Sequence, residues 1–335
     1  MDVTVLFGGQ FGSEGKGLIA SYLAERERFN LATTDAGPNA GHTAIYKGNP
    51  LITFHLPMVG VLTPGCTLWL NGGAIINPEI LLREIDTMET VHGIEIKSRL
   101  LIHPHAAVIE PQDMEEETDT LGPMAKISST QKGVGAAARR RMGRGAHTAQ
   151  DFKELKKFVN VVHPQRWPKV VVEVAQGYGL SINSGFYPYT TFRCCSPAQG
   201  LMNASIPTSI PHKIWSVLRV NPIRVGSLPN GYSGGCYPDQ HETSWEALGL
   251  EPQYTTVTKR LRRVFTYSRM QVEKMIRETA PTHILINFAQ TQTAGWLDTT
   301  TGYIQQTYRD YGLPQPEIFY GYGPSAEDIS ENIRP

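Results

Sequence analysis

Short apolar runs alternate with amphipathic stretches along the chain, and this alternation predicts strands and helices in turn. The first apolar run is VTVLF at 3–7. The stretch GLIASYLAERERF at 17–29 places its apolar residues on one helical face, and a second β-rich run, LATTDA, follows at 31–36. The chain therefore opens as a strand–helix–strand unit.

The same pattern continues beyond this unit. The segment 43–56 is typical of a hairpin around Gly48-Asn49-Pro50, whereas 78–93 is typical of a helix with proline at its start and glycine at its end. Four further strand candidates, several of them apolar throughout, are RLLIHP, KVVVEVA, THILINFA and EIFYGYG. Such runs are typical of a parallel sheet buried on both faces. The pattern predicts an α/β fold: a single large domain, 1–335, around a central, mostly parallel sheet with helices on both faces.

Three long segments between these elements, 110–149, 176–210 and 226–243, are rich in glycine, proline and polar residues. They are predicted to be irregular, and loops of this length in a compact domain usually serve function. The first contains an acidic cluster at 113–119, which is most simply the solvated start of a helix.

Composition narrows the class of protein. The 31 basic and 31 acidic side chains of the 335 residues cancel, so no global field favours nucleic acid or a membrane surface as a partner. The four cysteines lack the spacing of a zinc site and are too few for a disulfide scaffold. No apolar run approaches bilayer length, and no apolar leader precedes the first strand. We expect a cytoplasmic protein.

The first candidate site is the loop GGQFGSEGKG at 8–17. A strand that enters a glycine-rich turn and then a helix directs backbone N–H groups and the positive end of the helix to one point, and Lys16 adds a cation. This predicts a loop of the P-loop kind that binds a polyphosphate. However, Gly17 replaces the Ser or Thr of an ordinary P-loop, and a serine stands at position 13.

Two more segments carry candidate chemistry after predicted strands. In GPNAGHT at 37–43, small residues permit close approach of a ligand, and His42 can exchange a proton near neutral pH. In 175–191, Gln176 lies on a glycine turn where it can address a purine edge, and Thr190 or Thr191 can hold a phosphate oxygen.

Local basic clusters stand at 132–144 and 259–263. They are open to three interpretations: a solvated surface, a nucleic-acid patch or a site for small anions. Neither cluster interleaves the aromatic residues that stack on bases, and both adjoin threonine and glycine, which favours small anions held by arginine forks.

Together these motifs resemble the adenylosuccinate synthetase family over most of the chain and in the right order. The family's opening G-x-Q-[WF]-G-D-E-G-K-G is similar to 9–17, its N-A-G-H-T stands intact at 39–43, its A-Q-G at 175–177 and its Y-P-Y-x-T at 187–191. The family phosphorylates O6 of a 6-oxopurine nucleotide with a nucleoside triphosphate, and the amine of L-aspartate then displaces the phosphate at C6.

The resemblance implies a set of roles, each carried to the matching position. Catalysis would involve Ser13, Lys16, His42 and Gln176. The donor triphosphate would be bound by Gly12, Ser13, Glu14, Gly15, Lys16, Gly17, Gly41, His42 and Thr43. The purine nucleotide would be bound by Ser13, Asn39, Ser129, Thr130, Arg140, Gln176 and Thr191. L-Aspartate would be held by Thr258, Arg260 and Arg262 within the segment 257–264, and Mg²⁺ by Ser13 and Gly41.

The departure at position 13 points to a changed substrate. The family has an aspartate there that accepts the purine N1 proton and binds Mg²⁺, whereas this chain has Ser13. A smaller, uncharged side chain leaves room for a 2-amino group, so that guanine can replace hypoxanthine. This is the feature of phage-encoded members that convert dGMP into a succinylated 2-aminopurine deoxynucleotide. The N1 proton acceptor stays open between Ser13 acting through water and another group.

Two further departures concern the donor and the dimer. The family's T-K-L-D, whose carboxylate binds the guanine of GTP, would fall at 285–290, where the chain has LINFAQ, so ATP or dATP is the expected donor. The family is a homodimer in which an arginine of one subunit reaches the partner's nucleotide. A deletion before RRRMGR leaves Arg140, Arg141 and Arg144 as candidates for it, of which Arg140 is preferred.

Three hypotheses follow. The first is a ligase that joins dGMP to L-aspartate with ATP or dATP and Mg²⁺, as a homodimer in the cytoplasm, of the host cell if phage-encoded. The second is an ordinary adenylosuccinate synthetase acting on IMP, against which Ser13 stands. The third is a nucleotide-binding regulator of the P-loop type without ligase activity, which would not need His42 or the arginines of 257–264.

Overall fold

The computed structural model describes residues 1–256 and 258–335, and within them short strands recur along the whole chain. In chain order they are β1 Asp2–Gly8, β2 Leu31–Thr34, β3 His42–Tyr46, β4 Asn49–Thr53, β5 Thr67–Leu70, β6 Ile75–Ile76, β7 Leu100–Ile102, β8 Ala107–Val108, β9 Lys169–Gly177, β10 His212–Arg219, β11 Ile223–Arg224, β12 Glu242–Thr243, β13 Arg263–Phe265, β14 His283–Asn287, β15 Glu317–Gly321 and β16 Ile329–Ser330.

The helices are interspersed with these strands. They are α1 Lys16–Arg26, α2 Met58–Leu62, α3 Pro78–Thr90, α4 Pro111–Thr118, α5 Pro123–Lys126, α6 Val134–Met142, α7 Pro197–Asn203, α8 Arg269–Thr279 and α9 Ala294–Asp310. Single 3-10 turns lie at Ala149–Asp151, Lys156–Phe158, Pro164–Arg166, Tyr178–Leu180, Ala289–Thr291 and Ala326–Asp328. No helix in the described part of the chain combines the length and apolarity needed to cross a membrane.

Within the described residues, nine strands form the central sheet, in the order β16-β15-β14-β10-β1-β9-β2-β5-β7. All neighbouring pairs in it are parallel except β15 and β16. The predicted α/β fold with a mostly parallel sheet is therefore confirmed. Strand β1 lies inside the sheet between β10 and β9, so both of its edges are hydrogen-bonded.

Both faces of the sheet are covered by apolar cores. Along β1, Leu6 belongs to the core under α1, α2 and α3, while Val5 and Phe7 point into the core under α7, α8 and α9. Alternate residues of a strand point to opposite faces, so a strand buried on both sides must be apolar at nearly every position. This explains why the sequence of β1 shows an apolar run rather than strict alternation.

The predicted local elements are largely present. The hairpin expected over 43–56 is the antiparallel pair of β3 and β4. The helix expected over 78–93 ends at Thr90, and its start is capped by Asn77, whose side chain accepts a hydrogen bond from the Ile80 amide. The helix expected over 17–29 spans Lys16–Arg26, since the backbone is extended at Glu27.

The expectation of an irregular segment over 110–149 was wrong, because three helices, α4, α5 and α6, lie within it. The acidic cluster is not simply solvated either. Glu117 is 1% exposed and accepts hydrogen bonds from the amides of Gly133, Gly135 and Ala136 at the start of α6. This carboxylate satisfies N–H groups that a helix start leaves unpaired, and it does so from 16 to 19 residues away along the chain.

The central parallel strands place their carboxyl ends at one edge of the sheet. Strands β1, β9, β10 and β14 are neighbours there, and the loops that follow them converge. In open α/β sheets this edge is where ligands bind. The loops bring together residues that are remote in sequence, as with Phe11 and Phe288, which line the same cavity.

Candidate active site

A cavity of about 330 Å³ opens at this edge of the sheet. Its walls come from the loop after β1, the start of β3, the turn after β9, the end of β10 and the segment before β13. The lining residues include Gly12, Ser13, Gly15, Lys16, Gly17, Asn39, Gly41, His42, Thr43, Thr130, Gln176, Thr258 and Arg262. Most residues predicted for catalysis and binding thus share one cavity.

The loop between β1 and α1 is built to present its amides. Gly12, Ser13 and Gly15 all have positive φ, of 87°, 59° and 90°. The buried Glu14 carboxylate accepts hydrogen bonds from the Gln10 and Gly12 amides at 3.0 and 2.8 Å, which closes the loop on itself. In the described structure, no hydrogen-bond partner occupies the amides of 13–17. A run of free N–H groups at a helix start is suited to an anion.

Gly17 is required by the neighbouring strand. A Cβ at this position would lie 1.8 Å from the carbonyl oxygen of Thr43, which no side chain tolerates. The Ser or Thr that follows the lysine in an ordinary P-loop therefore has no room here. The side chain of Ser13, in contrast, is exposed toward the cavity.

Lys16 and Gln176 are held against each other. The Lys16 ammonium, 6% exposed, donates to the Gln176 carbonyl oxygen at 2.7 Å and lies 3.7 Å from Glu14. Gln176 has a positive φ of 67°, and its side-chain Nε2 is buried without a partner in the described structure. An unpaired buried amide donor that faces a cavity is costly unless a ligand accepts from it.

His42 is the first residue of β3 and contributes a neutral imidazole to the cavity. The surrounding protein and the Lys16 ammonium lower the pKa of His42 to about 3. The sequence suggested a proton exchanger near neutral pH, but in the free protein this side chain acts as a neutral hydrogen-bonding group. Accumulating phosphate charge beside it would favour the protonated form.

The residues expected to bind the purine nucleotide divide into two groups. Asn39, Thr130 and Gln176 line the cavity, whereas Ser129 and Thr191 do not. The Ser129 carbonyl accepts a hydrogen bond from Arg260 at 2.9 Å, and the Thr191 amide donates to Leu180 at 2.8 Å. Both therefore serve the frame around the cavity in this arrangement.

Arg140, the preferred arginine of its cluster, is engaged elsewhere. It pairs with Glu110 and Asp113 and donates to the Val108 carbonyl. These bonds fix it inside the 108–145 region, which conflicts with the preference for Arg140 as the nucleotide-binding arginine. Arg141 on the same helix forms no ion pair in the described structure, and burial together with Arg193 lowers its pKa.

The segment expected to bind L-aspartate lies over the cavity, with residue 257 outside the described residues. Thr258 and Arg262 line the cavity. Arg260 donates to the Thr258 hydroxyl at 3.1 Å and to the Ser129 carbonyl, so it ties this segment to the 128–130 turn. The Nη1 atom of Arg260 and the Nε atom of Arg262 are buried without partners in the described structure.

Two arginines of the cavity were missed by the sequence reasoning as site residues. Arg219 ends β10 and is 3% exposed, and Arg224 ends β11 and is 2% exposed. Neither forms an ion pair within the described residues, and burial lowers their pKa values to about 9 and about 10, so both stay charged at neutral pH. The available signal was a basic residue at the carboxyl end of an apolar strand run.

The cavity is strongly cationic as a result. Lys16, Arg219, Arg224 and Arg262 line it, and no aspartate or glutamate stands among its described lining residues. Two of them, Arg219 and Arg224, are buried and form no ion pair in the described structure, which is unfavourable in the empty protein. The arrangement is therefore suited to ligands with several negative charges, such as nucleotides and dicarboxylates.

The cavity offers a metal ion few ligands of its own. No group of three or more histidine, cysteine, aspartate or glutamate side chains that could hold a metal occurs in the described residues. Ser13 and Gly41 line the cavity and provide neutral oxygen atoms. This donor set fits Mg²⁺ bound mainly through phosphate oxygens and water, since Mg²⁺ prefers hard oxygen ligands and keeps part of its hydration.

Comparisons with known proteins agree on one family. A family model described as adenylosuccinate synthetase matches residues 5–165. Among curated relatives, N6-succino-2-amino-2′-deoxyadenylate synthase of Salmonella phage PMBT28 is 36% identical over an alignment of 365 positions, which covers 99% of this chain and 98% of the relative.

Solved structures give the same result. Succinoaminodeoxyadenylate synthetase of cyanophage S-2L, bound to dGMP and to dATP as an energy donor, matches with a TM-score of 0.86 and 30% identity, covering 98% of this chain and 95% of that one. Fully ligated adenylosuccinate synthetase from Plasmodium falciparum shares the fold, with a TM-score of 0.77 at 17% identity over 98% and 99% of the two chains.

Proposed function

The chain belongs to the adenylosuccinate synthetase family, and we propose that it is the ligase that condenses dGMP with L-aspartate. The reaction is driven by ATP or dATP and gives N6-succino-2-amino-2′-deoxyadenylate, the nucleoside diphosphate and phosphate. The relatives from Salmonella phage PMBT28 and cyanophage S-2L carry this activity in their names. Their similarity spans nearly the whole chain, so the proposal concerns the entire protein.

The observation that carries the proposal is the cavity without carboxylates around Ser13. A family member that acts on hypoxanthine uses an aspartate at this position, and here no acidic side chain among the described lining residues takes its place. A serine leaves space for the 2-amino group that distinguishes guanine from hypoxanthine. The absence of a carboxylate at position 13 would therefore select guanine over hypoxanthine.

The donor triphosphate is assigned to the loop 12–17 with Gly41, His42 and Thr43. Its free amides and the Lys16 ammonium suit the phosphate chain, and the neutral His42 can donate a hydrogen bond to the transferring phosphoryl group. When bound, Mg²⁺ neutralises phosphate charge, and Ser13 and Gly41 would hold it. These residues position the γ-phosphoryl group for O6 of the purine.

The nucleotide and the amino acid are assigned to different sets of residues around the cavity. Asn39, Thr130 and the unpaired Nε2 of Gln176 would address dGMP. Thr258 and Arg262 would hold the carboxylates of L-aspartate, with Arg260 setting the segment. Ser129 and Thr191, which do not line the cavity, would support its wall.

The chemistry proceeds in two displacements. O6 of the purine takes the γ-phosphoryl group, which releases the nucleoside diphosphate, and the N1 proton leaves. The amine of L-aspartate then bonds to C6, the C6–O bond breaks with the electron pair passing to phosphate, and the amine loses a proton. The cationic walls stabilise the negative charge that both displacements redistribute.

The donor is assigned as ATP or dATP on account of residues 285–290, which form the end of β14 and the turn after it. Residues 285–290 carry no carboxylate, so the N1 and N2 groups of guanine have no acceptor pair there. Asn287, at the end of β14, is engaged with the Glu14 carbonyl at 2.9 Å. The bound dATP of the cyanophage S-2L protein supports an adenine donor.

We further propose a homodimer that acts in the cytoplasm, of the host cell if the chain is phage-encoded. Within it, Arg141 suits the role of the arginine that reaches the partner's nucleotide better than Arg140. Arg141 carries an unneutralised charge on the last turn of α6, whereas Arg140 is spent on Glu110 and Asp113.

The proposal is tested by product analysis of the purified protein. With Mg²⁺, ATP, L-aspartate and dGMP, we expect a succinylated product whose formation matches phosphate release. Omitting any one of the three substrates should stop product formation. Phosphate release from ATP without any aspartate-dependent product would instead support a nucleotide-binding regulator and contradict the ligase.

A further inference from the structure

Arg219 joins three segments that the proposed reaction assigns to different substrates. Its Nη1 donates to the Ser13 carbonyl oxygen at 3.4 Å, and its Nη2 donates to Oε1 of Gln253 at 2.9 Å. Its guanidinium lies 3.8 Å from the centroid of the Phe288 ring. The backbone of Arg219 also exchanges two hydrogen bonds with the Gln10 side chain, at 2.8 and 3.1 Å.

The contact with Ser13 affects the amides of the phosphate loop. In a planar trans peptide, the carbonyl of one residue and the N–H of the next point in opposite directions. Arg219 holds the Ser13 carbonyl, and Asn287 holds the Glu14 carbonyl at 2.9 Å. Both bonds pull carbonyls toward the sheet, so the amides of Glu14 and Gly15 point the opposite way, where an anion can accept from them.

The contact with Gln253 affects the segment assigned to L-aspartate. The Gln253 carbonyl accepts a hydrogen bond from the Arg262 amide at 2.8 Å. Gln253 is therefore fixed at both its side chain and its backbone, and Arg262 is fixed through it. Moving Gln253 would therefore move Arg262, the residue just before β13, whose guanidinium lines the cavity.

Arg219 has no ion-pair partner of its own within the described residues. The nearby Glu14 is occupied by two loop amides and by Lys16. Arg219 is only 3% exposed, and its Nε atom is buried without a hydrogen-bond partner in the described structure. Burying the Arg219 guanidinium costs desolvation free energy, and its two Nη groups contact only neutral oxygens. Ion pairing within the chain therefore does not explain why this cation is buried.

We propose that Arg219 is a positioning residue that fixes the phosphate loop 12–17 and the aspartate-binding segment 258–264 relative to each other. The nucleoside triphosphate and L-aspartate would then be held at a constant distance and orientation. The proposal rests on the proposed ligase function. It adds a residue that would not touch dGMP: Arg219 acts through Ser13 and Gln253. The planar fork of arginine is needed because one group must serve two acceptors that belong to different segments.

The test is a substrate-by-substrate kinetic analysis of Arg219→Gln and Arg219→Lys. For Arg219→Gln we expect the KM values of ATP and of L-aspartate each to rise about ten- to hundredfold, as for loss of charge-assisted hydrogen bonds. The KM of dGMP should rise less than either, because Arg219 holds the Ser13 carbonyl and not the Ser13 side chain. Lysine keeps the charge but serves one acceptor, so Arg219→Lys should restore one of the two KM values more than the other.

A comparison variant separates the two contacts. Asn287→Ala releases the Glu14 carbonyl but leaves Gln253 in place. It should raise the KM of ATP and leave that of L-aspartate within about twofold. Arg309→Gln removes a charge from the exposed face of α9 and should leave all three KM values unchanged.

Melting temperatures show which variants fold. If Arg219→Gln does not fold, the KM values of Arg219→Lys test the proposal instead. Equal changes of all three KM values in a folded Arg219 variant, or no change, would overturn the proposal. If the wild-type protein makes no product from dGMP, the proposed ligase function is wrong. If the wild type makes product and the KM values of an Arg219 variant are unchanged, as those of Arg309→Gln should be, only the positioning role of Arg219 is wrong.

Discussion

Gly17 and Ser13 distinguish this phosphate loop from an ordinary P-loop and from the family's own motif. At Gly17 the Thr43 carbonyl excludes any side chain, so the hydroxyl of an ordinary P-loop is impossible here. At Ser13 the backbone has a positive φ, a conformation in which aspartate and asparagine are well tolerated. Backbone strain therefore does not explain why serine stands where the family has aspartate, and the explanation must lie in the ligand.

Ser13→Asp should impair the reaction with dGMP. The added carboxylate takes the space of the purine 2-amino group and removes part of the cationic character of the cavity, so we expect kcat/KM for dGMP to fall about tenfold or more. Ser13→Asn is the matched control, because it has the same shape without the charge. Steady-state kinetics with both variants separate space from charge, and an unimpaired Ser13→Asp would refute both explanations.

His42 predicts a pH dependence of stability. Its pKa is about 3 in the folded protein, below the value of an unfolded chain, so between pH 6.5 and 3 the unfolded state binds the extra proton. Stability contributed at this site is intact above about pH 7 and falls as the pH is lowered. Discounted for partial exposure, the loss from pH 7.5 to pH 5 is about 1 to 2 kcal/mol.

Urea unfolding of the wild type and His42→Gln at both pH values measures this effect. Both proteins share all other titrating groups, so their difference isolates His42. The variant should lose less stability than the wild type on acidification. Equal losses would show that the imidazole titrates normally.

The resemblance singled out Ser13, Lys16, His42 and Gln176 from the sequence, and all four line the cavity. Arg219 and Arg224 were missed as site residues because neither lies in a glycine-rich motif. Their importance comes from burial without a counter-charge, and burial is a property of the folded chain. Local sequence does not encode which cations remain unpaired.

At the scale of elements, the segment 110–149 shows where local reasoning fails. Its glycine, proline and acidic residues predict an irregular loop, yet it folds into α4, α5 and α6. The start of α6 depends on Glu117, which comes from α4 and is remote in sequence. Helix formation stabilised by such a tertiary cap cannot be read from local propensity.

The last turn of α6 gives a prediction that separates structure from function. Arg140→Ala should lower the free energy of unfolding by about 2 to 4 kcal/mol, because it leaves Glu110 and Asp113 partly buried without their partner. Arg141→Ala should keep the stability within about 0.5 kcal/mol and lower kcat/KM for dGMP about ten- to hundredfold. Thermal melts and kinetics of both variants check this, and the reverse pattern would return the nucleotide role to Arg140.

At the scale of the whole molecule, the sequence supported the fold class but not the strand order. Apolar runs predicted a mostly parallel sheet, and the sheet has nine strands with one antiparallel edge pair. Which strands become neighbours depends on long crossovers, and no periodicity in the runs specifies them. The central position of β1 between β9 and β10 became visible only in the structure.

This topology predicts that the chain folds as a unit, as expected for one domain over 1–335. The family model matches 5–165, but β1 pairs only with β9 and β10 in the described structure, and both lie beyond residue 165. A fragment 1–165 should therefore lack a cooperative thermal transition, whereas the full chain should show coincident transitions by near- and far-ultraviolet circular dichroism. A fragment that melts cooperatively would reveal an independent domain.

If Ser13 marks a ligase for guanine nucleotides, dGMP must be used in preference to IMP when the two compete. The purified protein is given Mg²⁺, ATP and L-aspartate with equal amounts of dGMP and IMP, and the succinylated products are separated by mass spectrometry. We expect the product of dGMP, N6-succino-2-amino-2′-deoxyadenylate, with little or none from IMP. Product from IMP alone would contradict this expectation and make the chain an ordinary adenylosuccinate synthetase in which serine at position 13 is a tolerated change.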